Sequence, residues 1–170
     1  MKKILSVIKI PIIIVLTFVF QIFIANNLEI FGVTPNLILV TVVIISMWNT
    51  LTVSLLVAGT MGIFADLIFK FELGESIISY LVIALCISYI SGKYRKESKA
   101  AIIYITAMST CIFTVFQILY YIIDTLAMIN FFVLIKQIAV EILLNIAIAY
   151  IVYKIFEKSM KEDILNSVYR

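Results

Sequence analysis

The chain has 170 residues, of which 64% are hydrophobic and only 14% charged, with a net charge of +3 and a mean hydropathy of +1.20. A soluble domain is about half apolar and about a quarter charged, so these proportions exclude an ordinary soluble fold and indicate a chain solvated by lipid. Histidine is absent, which excludes Ser–His and Cys–His relays and removes the commonest zinc and haem ligand.

The first apolar run covers residues 4–25 and follows two lysines. It is too long for a signal-peptide core and no small-x-small site closes it, so it reads as a retained span. Pro11 lies near its start, where the first turn has spare donors, and Gln21 is its one strongly polar interior residue. After Asn26-Asn27-Leu28-Glu29, Phe31 to Asn36 forms a turn and a helix start, with Thr34 as cap and Pro35 at the first helical position.

From Asn36 to Phe69 the chain stays apolar. As one helix it would be roughly 51 Å long against a hydrocarbon core of about 30 Å. It must break, and Trp48-Asn49-Thr50 is the place, with Trp48 suited to an interface. The pieces are a short helix over 36–48, roughly 20 Å long and dependent on its neighbours to cross, and a span over 51–69. In the second piece Ser54, Ala58, Gly62 and Asp66 recur every fourth residue, with Gly59 beside them. Small residues at that spacing let a neighbouring backbone approach closely, so this helix is expected to be surrounded by its own chain. Asp66 is about one turn from the helix end. There it can bond loop backbone or a neighbouring helix, contact a ligand or partner, or reach interfacial water.

Lys70 to Glu75 reads as a loop containing Gly74, followed by spans over 76–91, 100–123 and 131–153. Gly92 and a cluster of Lys93, Arg95, Lys96 and Lys99 separate the first two of these, and Asn130 can cap the last. The tail beyond Lys154 is charged and can extend the final helix. Cys86 and Cys111 fall in different apolar runs, so a disulfide framework is not expected and each thiol reads as a small buried hydrophobe. No hydrophobic-free stretch is long enough to fold alone, so residues 1–170 are expected to form a single integral membrane domain.

Charge decides the number of spans. With six spans and the N-terminus inside, Lys2, Lys3, Lys9, Lys93, Arg95, Lys96, Lys99, Lys154, Lys158, Lys161 and Arg170 are cytoplasmic, and only Lys70 and Lys136 lie outside. Reading Asn36–Phe69 as one span would carry the Lys93–Lys99 cluster across the membrane, against the positive-inside bias. The basic cluster itself reads as an orientation signal that contacts anionic lipid, not as a nucleic-acid site.

A second polar constellation, Gln117, Tyr121 and Asp124, sits at the far end of the fifth span, and a third, Gln137, Glu141 and Asn145, runs four residues apart along the sixth. An ionised, unpaired Glu141 in mid-span would cost several kcal/mol, so it should be protonated, paired or hydrogen-bonded, with Asn145, Gln117 or Gln21 as candidates. The stripe is either a polar clamp between helices or a place where a partner or small ligand is engaged. No catalytic residue, metal ligand set or cofactor motif is expected. Gly62-Ile-Phe-Ala-Asp66 lacks the Gly-x-Gly-Asp pattern of intramembrane aspartyl proteases, and no glycine-rich phosphate loop is present.

These residues resemble a family. Phe31-Gly-Val-Thr-Pro35-Asn36-Leu-Ile-Leu-Val looks like the Pro-Asn/Asp-Leu opening of the second helix in MreD, the rod shape-determining membrane protein family. Gly59, Gly62, Asp66-Leu67, Gly74, Tyr80, and Gly92 before a basic loop are similar to that family's central region, and Glu141 with Asn145 matches its last-helix pair. The resemblance spans nearly the whole chain and departs at Thr60-Met61, where bulkier residues often stand. It implies a non-enzymatic subunit of the bacterial cell-elongation machinery in the cytoplasmic membrane. Such a subunit scaffolds an MreC-like bitopic protein beside MreB, a SEDS glycosyltransferase and a class B penicillin-binding transpeptidase. Pro35, Asn36, Gly59, Gly62, Asp66, Gly74, Glu141 and Asn145 are the implied partner-binding or packing residues. The resemblance also implies an all-α, six-helix fold similar to the substrate-binding S-components of energy-coupling factor transporters. From that similarity comes the alternative function, a subunit that binds a vitamin-like small molecule.

Overall fold

A computed structural model describes residues 2–70, 74–91, 99–125 and 131–168. Its six helices are α1 (Lys2–Asn27), α2 (Leu37–Trp48), α3 (Leu51–Ala65), α4 (Glu75–Ser91), α5 (Lys99–Thr125) and α6 (Phe131–Val168). A π-helical turn over Asp66–Lys70 prolongs α3. The fold is all-α, and the break at Trp48-Asn49-Thr50 is present, with the Asn49 N–H returning to the Ile45 carbonyl to close α2. The last helix runs on through the charged tail to Val168. Asn130, Lys93, Arg95 and Lys96 lie outside the described residues.

Side-chain pairing shows that successive helices reverse direction. Gln21 near the end of α1 meets Leu37 at the start of α2, while Thr17 meets Thr41 one turn further in. Gly62 of α3 lies against Ile77 of α4, Tyr80 of α4 stacks on Phe113 of α5, and Thr110 and Thr114 of α5 meet Asn145 and Glu141 of α6. One end of the bundle therefore gathers the end of α1, the start of α2, the end of α3, the start of α4, the end of α5 and the start of α6.

The helix at the centre is α2. It packs against all five others, and every residue from Ile38 to Met47 is buried. A helix that is apolar on all sides has no face for water and gains most by being enclosed. At 12 residues it is about 18 Å long, too short to cross a bilayer in contact with lipid. The expectation that α3 would be the surrounded helix is corrected here. Its small stripe is buried, with Ser54 and Ala58 fully inaccessible, but Leu56, Ile63 and Phe64 are exposed on its other side. Small residues bring one neighbour close, whereas enclosure needs apolar side chains all round.

Apolar side chains cover much of the outside. Val15, Val19 and Phe23 of α1, Leu56 of α3, Ile123 of α5 and Leu143 of α6 are all more than half exposed. Leu51–Phe69, Lys99–Asp124 and Leu134–Lys154 are long and apolar enough to cross a membrane, and Ile10–Ala25, Leu37–Trp48 and Glu75–Ile90 are shorter apolar helices. Such an outer surface is stable only in lipid. Two details differ from expectation. Pro11 is in the helix interior, because α1 begins at Lys2 rather than just before the proline. Cys111 is exposed and Cys86 half-buried, because both sit on outward faces of their helices.

Candidate functional site

A helix start buried inside a bundle carries N–H groups that nothing in the helix can satisfy, and lipid offers no substitute. The α2 start resolves this with three side chains, its own cap and one each from α1 and α6. Asn36, not Thr34, is the cap: its Oδ1 accepts from the Leu39 N–H at 2.8 Å. The Leu37 N–H donates to Gln21 Oε1 at 2.6 Å, and the Asn36 N–H donates to Asn145 Oδ1 at 2.8 Å. Pro35 therefore stands outside the helix, with its carbonyl accepting from Gln21 Nε2 at 3.2 Å.

The network continues outward. Asn36 Nδ2 and the Tyr80 hydroxyl are 3.3 Å apart, and Asn145 Nδ2 donates to Thr110 Oγ1 at 3.2 Å. The Thr110 hydroxyl in turn donates to the Thr106 carbonyl at 2.9 Å. One chain of hydrogen bonds thus ties α1, α2, α4, α5 and α6 together around a single helix start. Asn145 is fully inaccessible and bonds on both sides of its amide, which makes it the keystone.

Asp66 performs the same service for α4. Its Oδ2 accepts from the Gly74 N–H at 2.8 Å and faces the Ile77 N–H at 3.4 Å, while Oδ1 accepts from the Ser76 N–H at 3.0 Å. A carboxylate at a helix start satisfies orphan donors and complements the positive end of the helix dipole. Of the alternatives open in the sequence, the structure selects the bond to loop backbone. Asp66 is 0% exposed, so it does not reach interfacial water: the start of α4 folds over it. Gly74, at φ +131°, makes the turn that aims its N–H at the carboxylate.

Gly62 explains how α4 comes so near. A Cβ there would lie 2.5 Å from the Ile77 Cα and 2.9 Å from its N. Gly59 is looser, with the Leu81 Cδ2 at 3.8 Å from the same notional atom.

Glu141 pairs differently from expectation. Its Oε2 accepts from Thr114 Oγ1 at 3.3 Å, while Asn145 and Gln21 are engaged at the α2 start. The three polar residues of α6 lie at different depths, Asn145 buried, Glu141 half-buried and Gln137 exposed, so one stripe descends from the bundle end into its interior.

Beside these groups lies a cavity of about 800 Å³. Buried Gln21, Pro35, Ser76, Tyr80 and Phe113 form its floor, and exposed Gly32, Tyr121, Asp124 and Gln137 its rim. Gln117 and Glu141 line the wall between them. The sequence reading missed Thr106, Thr110 and Thr114 as site residues, although their spacing of four was visible and places the hydroxyls toward Asn145 and Glu141 on one face of α5. Among the described residues no group of three His, Cys, Asp or Glu side chains could hold a metal ion.

An apolar exterior around polar residues that hydrogen-bond one another defines an all-α membrane protein. The family model of the rod shape-determining protein MreD matches residues 1–161, and the chain belongs to that family. It is thus a rod shape-determining membrane protein. No curated protein and no solved structure matches the chain.

Proposed function

We propose that the protein is a non-enzymatic scaffold of side-wall synthesis: one membrane domain of six spans in the bacterial cytoplasmic membrane, with both termini cytoplasmic. It holds an MreC-like bitopic protein, and through it MreB, a SEDS glycosyltransferase and a class B penicillin-binding transpeptidase. The observation that carries this reading is where the polar groups go. Asn36, Asp66 and Asn145 are engaged in internal hydrogen bonds, so what is left for a partner is a shaped apolar exterior. Helix α1 supports it further, since it packs mainly on α2 and leaves Val15, Val19 and Phe20 facing outward.

On this reading Pro35, Asn36, Gly59, Gly62, Asp66, Gly74, Glu141 and Asn145 act from within, by holding the partner surface in shape. Co-purification of the full chain with an MreC-like protein tests it. Asp66→Ala and Glu141→Ala should lower recovery of the partner, Glu75→Ala should matter less, and deletion should make rod cells round. Full recovery with Asp66→Ala would count against the scaffold. Topology has its own test, with single cysteines at Asn27, Lys96 and Glu162 in a background lacking Cys86 and Cys111. Labelling of Lys96→Cys by an impermeant thiol reagent outside intact cells would overturn the orientation.

A further inference from the structure

The segment joining α1 to α2 is fixed at both ends and loose between them. Behind it the Leu28 N–H donates to the Ile24 carbonyl at 2.8 Å, and ahead of it Gln21 holds the Pro35 carbonyl and the Leu37 N–H. Between these anchors Ile30 and Val33 exchange two backbone hydrogen bonds, at 3.0 and 3.1 Å, around a two-residue turn of Phe31 and Gly32. Both turn residues have positive φ, +55° and +83°. Such hairpin turns favour asparagine or glycine at the first position, because a larger side chain is strained there.

Phe31 gains little from burial, since it is 74% exposed. A phenylalanine held in a left-handed conformation at an exposed tip points to a contact that the ring itself makes. That contact is with Lys136 of α6, whose Nζ lies 5.6 Å from the ring centroid, within cation–π range. Among the described residues no hydrogen bond or ion pair joins residues 28–34 to α6, so this contact is what holds the hairpin there. It sits at the mouth of the cavity. Gly32, Val33 and Thr34 line the cavity on the hairpin side, and Leu134 and Gln137 line it on either side of Lys136. The strain at Phe31 and the attraction of an exposed cation–π pair are of similar size, so letting go of Lys136 leaves a strained turn with nothing to offset it.

We propose that residues 28–34 are a lid on this cavity, pivoting on the Leu28 and Pro35 anchors and latched by Phe31 on Lys136. Latched, the hairpin narrows the mouth between the starts of α2 and α6. Released, it widens the way to the floor at Ser76. Two states lie close in energy because the latch is one exposed contact set against one strained residue. The proposal concerns access to the cavity alone and stands without the scaffold reading.

The test uses the full chain in nanodiscs, with Cys86→Ser, Cys111→Ser and Ser76→Cys leaving one thiol on the cavity floor. Its modification rate is measured with iodoacetamide and with the bulkier N-phenylmaleimide. Both reagents are uncharged, so the Lys136 charge does not itself steer them, and the ratio of the two rates cancels changes in thiol reactivity. Phe31→Asn and Lys136→Met should each raise the bulky-to-small ratio by about two- to fivefold, the factor that losing an exposed cation–π contact allows. Combining them should raise it no further, because both remove the same contact. Phe31→Tyr and Lys136→Arg, which keep ring and cation, should leave the ratio as it is. Asparagine tolerates positive φ, so Phe31→Asn should melt no lower than the parent chain, which separates an open lid from a loosened fold. The proposal fails if the bulky reagent gains no access in the Asn and Met variants, or if the Tyr and Arg variants raise the ratio as much. It also fails if the double variant multiplies the two single effects, or if Phe31→Asn gains access only by melting lower.

Discussion

Replacing Gly62 is the sharpest test of how α3 and α4 are joined. An added Cβ would lie 2.5 Å from the Ile77 Cα, where ordinary contact begins at 3.4 Å, so the helices must part by about 0.9 Å. The obstacle is backbone and cannot rotate away. Overpacking of this kind costs about 1–3 kcal/mol, and Gly62→Ala belongs at the upper end. Separation also draws the Ile77 N–H, already 3.4 Å from Asp66, out of reach of the carboxylate. Hydrogen bonds to charged groups contribute about 1.5–3 kcal/mol, and this long one lies at the low end, so Gly62→Ala should lose about 4.5 kcal/mol in all, and Gly62→Leu at least as much. That is a large share of a typical stability of about 5–15 kcal/mol. Thermal unfolding of the purified protein in one fixed detergent is the assay, with Gly59→Ala as control. At Gly59 the new methyl would meet only the Leu81 Cδ2 at 3.8 Å, and the gain in helix propensity should leave stability level or up by about 0.5–1 kcal/mol. If Gly62→Ala melts with the native protein, or if both glycine variants fall equally, the close approach is not what holds these helices.

Asp66→Ala should cost more than about 2 kcal/mol, since the N–H groups of Gly74, Ser76 and Ile77 lose their acceptor away from water; Asp66→Asn should recover part of it, and the same melting assay ranks the three proteins. Asn145→Leu removes the acceptor for the Asn36 N–H and a donor to Thr110, and an expected loss of about 2–3 kcal/mol should appear together with faster amide hydrogen exchange at the start of α2. Thr114→Val should cost only about 1 kcal/mol, because Glu141 is half-buried and the bond is long at 3.3 Å; a loss as large as that of Asn145→Leu would mean that Glu141, not Asn145, is the centre of the polar network.

Composition alone placed this chain in lipid, and hydropathy with the Trp48-Asn49-Thr50 break separated α2 from α3, because both follow from local chemistry and from the length of a bilayer crossing. The stripe ending in Gly62 and Asp66 was legible for the same reason: a period of four places residues on one face whatever the rest of the fold does. Which face meets which neighbour is not a local property. Nothing near Asn36 in sequence announces Asn145, 109 residues away, and nothing near Asp66 says whether its carboxylate turns to water or to the next helix start. Those outcomes depend on α2 being the helix enclosed by the others. Once it is enclosed, its orphan N–H groups must be satisfied by side chains from α1 and α6, and Gln21 and Asn145 are bound there rather than to Glu141. The sequence determined that polar residues would turn inward. Only tertiary structure, through the need to satisfy the buried N–H groups at the starts of α2 and α4, decided their partners and left a cavity between them.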